Sequence, residues 1–181
     1  MAVRERQVLG KTEDNAVLFD ETGKGYEITY RGARVLDPKL LQRYLDSTPR
    51  NFFYILRERL KEPGLVFEFQ GSDVVLNDPV NIVDIIDSEN RVVTVYFHFS
   101  TKLPVRQKFF RRDPESKERI EELSEFSKFR DVGGGVKWPF AIRKMRDGEK
   151  IFEIYSESVQ INKNLNDSLF TLPADVKVLS K

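Results

Sequence analysis

Apolar residues recur at every second position over much of this chain, and that period limits the fold more than any other feature. Leu65, Phe67 and Phe69 alternate with Val66, Glu68 and Gln70. Val93, Val95, Phe97 and Phe99 face away from Val92, Thr94, Tyr96 and His98. Trp138, Phe140 and Ile142 resume the pattern. Successive side chains of an extended chain point to opposite faces, so this alternation marks strands with one apolar face. Val80 to Ile86 is apolar on both faces apart from Asn81 and Asp84, as in a central strand. Short turn clusters separate the runs: Gly71-Ser72-Asp73, Asp87-Ser88-Glu89-Asn90 and Ser100 to Pro104. Asp147-Gly148 is the strongest hairpin signal. Lys150 to Asn162 reads as a long strand with a bulge near Ser156, where its apolar phase changes. Earlier in the chain, Tyr26, Ile28 and Tyr30 share a face after turn chemistry at 20–25. Strands joined by turns this short form an antiparallel meander.

One stretch breaks the period. Asp37-Pro38 combines a helix N-cap with proline at the first helical position, and Leu40, Leu41, Tyr44 and Leu45 follow at helical spacing. Thr48-Pro49 repeats the start signal. Phe52, Phe53, Leu56 and Leu60 then make one apolar stripe, predicted to face the sheet. Arg57, Arg59 and Lys61 lie toward the C-terminal end, where cations suit the helix dipole. Pro63-Gly64 stops the helix.

Residues 117–131 read both ways. Ile120, Leu123, Phe126 and Phe129 recur every three residues among good helix formers, Glu118, Glu121, Glu122 and Glu125. A strict three-residue step, however, drifts around a helix instead of keeping to one face. Pattern alone leaves helix and strand open.

The 181 residues suffice for one domain, 1–181, with its own core. The tail after Pro173 is expected to be loose. Lys and Arg number 30 against 29 Asp and Glu, so there is no basic excess of the kind phosphate-backbone binding uses, and no nucleic-acid partner is expected. Cysteine is absent, which removes disulfides, thiol nucleophiles and thiolate zinc sites. No apolar run approaches the roughly 20 residues of a membrane span. Met1-Ala2 leads straight into charged residues, without a signal peptide pattern.

Chemistry-bearing patterns are sparse. His98 is the single histidine and has no nucleophile or orienting residue near it in sequence, so it reads as structural. Asp73, Asn77 and Asp78 lack the glycine and closing glutamate of a calcium loop, and no metal site is expected. Gly133-Gly134-Gly135 precedes Trp138-Pro139 and not a helix, so it reads as a hairpin loop and not a phosphate cradle. Phe109 and Phe110 with Arg106, Arg111 and Arg112 are the best case for base stacking, a reading the neutral charge balance disfavours. No catalytic residues and no cofactor are expected.

What remains is apolar surface. The chain carries 14 Phe, 6 Tyr and 1 Trp, many aligned on strand faces beside the helix pair. They can fill an ordinary core, as in a structural or protein-interaction domain. They also fit a curved sheet whose apolar concave face is capped by helices, and apolar cavities bind ligands. The lining residues would then be Phe52, Phe53, Leu56 and Leu60 on the helix, with Phe67, Phe69, Phe97, Phe99, Trp138 and Phe140 on the strands.

Several segments occur in an order that resembles one family. They are Gly25-Tyr26-Glu27-Ile28-Thr29-Tyr30-Arg31-Gly32-Ala33-Arg34, Phe53-Tyr54-Ile55-Leu56-Arg57-Glu58-Arg59, Leu103-Pro104-Val105-Arg106-Gln107, Trp138-Pro139-Phe140 and Asn166-Asp167-Ser168-Leu169-Phe170-Thr171-Leu172-Pro173. The chain resembles the outer-membrane lipoprotein-sorting family, the LolA/LolB-like periplasmic carriers. The resemblance implies a mainly β (α+β) fold: an open, curved antiparallel half-barrel with a short helix pair as lid on its concave face. It makes 117–131 a strand. It implies a non-enzymatic periplasmic carrier of lipid or of the acyl chains of lipoproteins, with membrane-associated partner proteins. Against that family the chain starts inside the sheet, as if its N-terminal segment were missing. An uncovered sheet edge or concave face predicts a homodimer.

Overall fold

The computed structural model describes residues 3–9, 12–19, 23–113 and 116–179. The backbone forms two compact units, Met1–Ser47 with Asn162–Lys181, and Thr48–Ile161.

In the first unit, β1 (Val3–Leu9), β2 (Thr12–Phe19), β3 (Gly25–Thr29) and β4 (Gly32–Val35) make an antiparallel sheet in that order. The expected turn at 20–25 falls partly on residues 20–22, outside the described residues. Helix α1 (Pro38–Ser47) starts as its sequence predicts, with the Asp37 carboxylate accepting from the Lys39 N–H at 2.7 Å. Phe19 of β2 stacks on Tyr44 of α1, ring centroids 3.7 Å apart. The C-terminal tail, expected to be loose, instead pairs with β4. Ala33 donates to the Lys177 carbonyl at 2.9 Å, and Leu179 donates to the Ala33 carbonyl at 2.8 Å. Gly32 permits this approach: a Cβ there would lie 2.4 Å from the Lys177 carbonyl oxygen.

The second unit is a seven-stranded sheet of β5 (Val66–Val75), β6 (Asp78–Ile86), β7 (Val92–His98), β8 (Pro104–Arg112), β9 (Arg119–Asp131), β10 (Lys137–Arg146) and β11 (Glu149–Tyr155). Its order is β11-β10-β9-β8-β7-β6-β5, every pair is antiparallel, and the sheet is open, with β5 and β11 as edges. The meander read from the alternation is present, but Gly71-Ser72-Asp73, expected as a turn, lies inside β5, and the turn falls at Leu76 (φ 55°) and Asn77 (φ 68°). Asp147 (φ 48°) and Gly148 (φ 82°) both take the positive φ of a tight hairpin turn between β10 and β11. Residues 119–131 are a strand. Two of the glutamates that look like helix formers meet cross-strand arginines: Glu125 faces Arg106 and Arg143, and Glu122 bonds Arg111 and Arg146. β11 stops at Tyr155, short of the expected Asn162, and the register shift lies at Lys144/Met145 instead of near Ser156. An edge strand is bonded on one side only; after the Ser156 N–H meets the Phe140 carbonyl at 2.9 Å, nothing extends the ladder.

The second helix starts later than Thr48-Pro49. Thr48–Arg50 forms a 3₁₀ turn, and Asn51 is the cap, its side chain accepting from the Tyr54 N–H at 3.2 Å. Helix α2 (Phe52–Tyr54) then widens into a π-helical stretch, Ile55–Arg59. The widened turn changes which residues point inward. Phe52, Ile55 and Arg59 are buried, whereas Leu56 (43% exposed) and Leu60 (51% exposed) point outward, contrary to the predicted stripe.

Candidate functional site

Cross-strand register assigns the side chains of the second unit to two faces. One row runs Phe69, Val83, Val95, Gln107, Ser124, Lys144 and Phe152 from β5 to β11. The next row on the same face runs Phe67, Ile85, Val93, Phe109, Glu122 and Arg146. The second helix sits on the middle of this face. Phe52 and Ile55 pack with Ile85, Val93, Val95 and Phe109, and Phe53, Leu65 and Phe97 close around them. The aromatic rings meet edge-on: Phe52 with Phe97 at 5.3 Å and Phe53 with Phe126 at 5.0 Å, while Phe53 lies tilted against Trp138 at 4.8 Å. Edge contacts set the positive rim of one ring against the negative face of another.

Two polar devices hold the helix in place. The buried Gln107 side chain accepts from the Phe52 N–H at 2.8 Å, satisfying a helix-start donor that no water reaches. At the other end, Arg59 bonds Glu62 (2.6 Å), Asp87 (3.0 Å) and the Pro49 carbonyl, and Asp87 also receives Arg91 at 2.7 Å. Burial alone would raise the Asp87 pKa. Hydrogen bonds from the Arg91 backbone and side chain and from Arg59 outweigh it and hold the carboxyl at about 2. Sequence reading missed both devices. The available signal was a polar residue, Gln107, at a position whose phase otherwise carries Phe109.

This face is not uniformly apolar. Glu122 accepts from Arg111 at 2.9 Å and from Arg146 at 3.2 Å. Burial lowers the pKa of Lys144, although the nearby Glu122 charge opposes the shift. Among the described residues no carboxylate lies within ion-pair distance of Lys144.

The predicted lining residues are distributed unevenly. Phe52, Phe53, Phe97 and Trp138 come together under the helix. Phe140 is buried beneath the Arg130 guanidinium, 4.5 Å from its ring centroid. Phe67 (48% exposed) and Phe69 (67% exposed) lie at the β5 edge of the same face, beyond the helix, and Phe152 and Ile154 are likewise exposed on β11. Phe99 is outside the group, in the turn after β7 with the Lys102 ammonium 4.7 Å from its ring. Leu56 and Leu60 point outward.

The opposite face is built from charge. Tyr96, Arg106, Glu125, Arg143 and Glu153 lie in register across β7 to β11. Arg106 meets Glu125 at 2.7 Å, Glu125 meets Arg143 at 3.2 Å, and Arg143 meets Glu153 at 3.2 Å. His98 Nδ1 accepts from the Ser100 and Thr101 N–H groups, both at 3.1 Å, so it ties the β7–β8 turn. Among the described residues no three acidic or histidine side chains converge as a metal site would require.

No family profile and no curated sequence matches the chain. Solved structures similar to it are known at low identity. One is a DUF1329 family protein from Desulfovibrio piger (14% identity, TM-score 0.44, 93% of this chain and 80% of that one). A second is described as an outer membrane lipoprotein-sorting protein domain from Vibrio parahaemolyticus (9%, 0.43, 93% and 82%). A third is a LolA superfamily protein from Nitrosomonas europaea (11%, 0.42, 94% and 87%).

Proposed function

We propose that the chain is a non-enzymatic carrier that binds the acyl part of a lipid or lipidated protein on the helix-bearing face of the seven-stranded sheet. The observation that carries this reading is a mismatch of areas. The helix covers the centre of an apolar face whose flanks, Phe67 and Phe69 on one side and Phe152 and Ile154 on the other, remain exposed. Soluble proteins seldom leave such surface without a use. An acyl chain gains about 0.8 kcal/mol per buried methylene and needs few polar contacts. The ordered motifs quoted above support the same reading. They extend it to a periplasmic location, to lipoprotein sorting with membrane-associated partners, and to one functional domain over 1–181. The open edges of β5 and β11 make a homodimer a further part of the reading, checked by sedimentation.

A dansyl-labelled fatty acid should bind saturably to the protein. Phe53→Ala and Phe69→Ser should each weaken that binding, with Phe69→Ser leaving the melting temperature nearly unchanged because its ring is mostly exposed. Absence of saturable binding, together with native mass spectra that show only the bare chain after gentle extraction, would establish the filled-core alternative.

A further inference from the structure

The β8–β9 hairpin carries a cluster that the carrier reading does not use. Arg50, Phe110, Arg111, Arg112 and Arg119 line an open cleft of about 420 Å³. That volume lies within the roughly 300–1,000 Å³ range of small-molecule sites. Among the described residues, four guanidinium groups and no carboxylate line it, in a chain with 30 Lys and Arg against 29 Asp and Glu. Arg112 and Arg119 are direct cross-strand partners. Like charges placed opposite each other destabilise a sheet, so the pair costs stability unless an anion joins it.

Other arginines of this unit are neutralised locally: Arg59, Arg91, Arg106, Arg143 and Arg146 each meet a carboxylate. Among the described residues Arg112 and Arg119 meet none. Arg119 instead lies over Phe110, 3.7 Å from the ring centroid. Arg111, by contrast, is nearly buried and bonded to Glu122 at 2.9 Å. Planar forks of this kind match phosphate oxygens two at a time.

We infer that this cleft binds the phosphate group of an anionic amphiphile through Arg112 and Arg119. Arg50 connects the cleft to the helix-bearing face, since its guanidinium lies 5.8 Å from the ring centroid of Phe109, a member of that core. The alkyl half of the ligand rests on the carrier reading; the phosphate half does not. A nucleic-acid strand fits less well. One face of Phe110 is taken by Arg119, and along the strand Arg106 is committed to Glu125 and Tyr96.

The test uses the full chain with vesicles of phosphatidylcholine alone or mixed with phosphatidylglycerol, and in parallel with glycerol 3-phosphate and a single-stranded oligothymidylate. The protein should sediment with the phosphatidylglycerol vesicles. The double variant Arg112→Gln, Arg119→Gln should lose that binding by about tenfold or more, because two charge-assisted contacts disappear. Both side chains are outside the core, so this variant should melt no lower than the parent. The control pair Arg57→Gln, Arg143→Gln removes the same net charge and should retain binding. Titration of glycerol 3-phosphate with the same dependence on Arg112 and Arg119 supports the phosphate site and assigns it to free organic phosphates as well as lipid. Equal losses in both double variants would overturn the inference, as would preference for the oligonucleotide. If the phosphate arms succeed while the fatty-acid probe fails, only the carrier reading falls; the reverse result removes only this site.

Discussion

The two faces of the seven-stranded sheet share every strand and are held by different forces. On the helix-bearing face, Phe52 and Ile55 press into Ile85, Val93, Val95 and Phe109, and the contacts are matters of shape. On the other face, Arg106, Glu125, Arg143 and Glu153 form an alternating ladder of opposite charges. Ladders of this kind contribute little per pair near water and weaken with salt, whereas a buried ring loses both transfer energy and packing when it is cut back. The comparison therefore teaches where stability resides. The charged face keeps the strands in register and soluble, which leaves the other face to hold the helix and, beyond it, exposed apolar flanks.

That contrast breaks first at Phe52. Phe52→Ala should cost about 4 kcal/mol in urea unfolding, the range for a well-packed core phenylalanine. A loss near 1 kcal/mol would mean that the helix is only loosely seated and the two faces do not differ in kind.

A smaller effect is expected where charge enters the helix-bearing side. Asp87→Asn takes the central carboxylate from Arg59 and Arg91 and should cost about 3 kcal/mol, since it strips a buried cation of one partner. The pH dependence sharpens the point. The Asp87 carboxyl is held at about 2, below its ordinary 3.8, so its stabilisation is present above pH 4 and is lost as pH falls toward 2. The parent should lose about 2 kcal/mol over that interval from this group, and Asp87→Asn should lack that share of the acid limb. Identical acid limbs in the two proteins would remove Asp87 from its place at the end of the helix.

The smallest effect belongs to the charged face. Arg143→Gln, whose side chain is 44% exposed, should cost about 1 kcal/mol or less at low ionic strength, and the difference should shrink further in high salt. A salt-insensitive loss as large as that of Phe52→Ala would erase the distinction between the faces.

Much of the fold is legible in the chain itself, for a local reason. The strands at 65–70 and 92–98 follow from alternation, and the β10–β11 hairpin follows from Asp147-Gly148, because side-chain period and turn chemistry act within a few residues. The first helix follows from Asp37-Pro38 in the same way. The candidate site is less legible. Phe53, Phe97 and Trp138 were recognisable as apolar positions, but their convergence needs strands far apart in sequence to align, and the alignment is a product of register.

Tertiary structure decided the remainder. Glu122 and Glu125 suit a helix until β8 and β10 bring arginines to them. Leu56 and Leu60 share a stripe in an ideal helix, yet the π-helical widening at Ile55–Arg59 turns Ile55 and Arg59 inward in their place. Gln107 gains its role only because the Phe52 N–H arrives above it, and Arg112 and Arg119 become a pair only through the pairing of β8 with β9. The sequence by itself determined which segments extend, turn and coil, since those choices are made by neighbours along the chain. Which side chains meet was left to contacts between segments, whose register and helix phase no local pattern encodes.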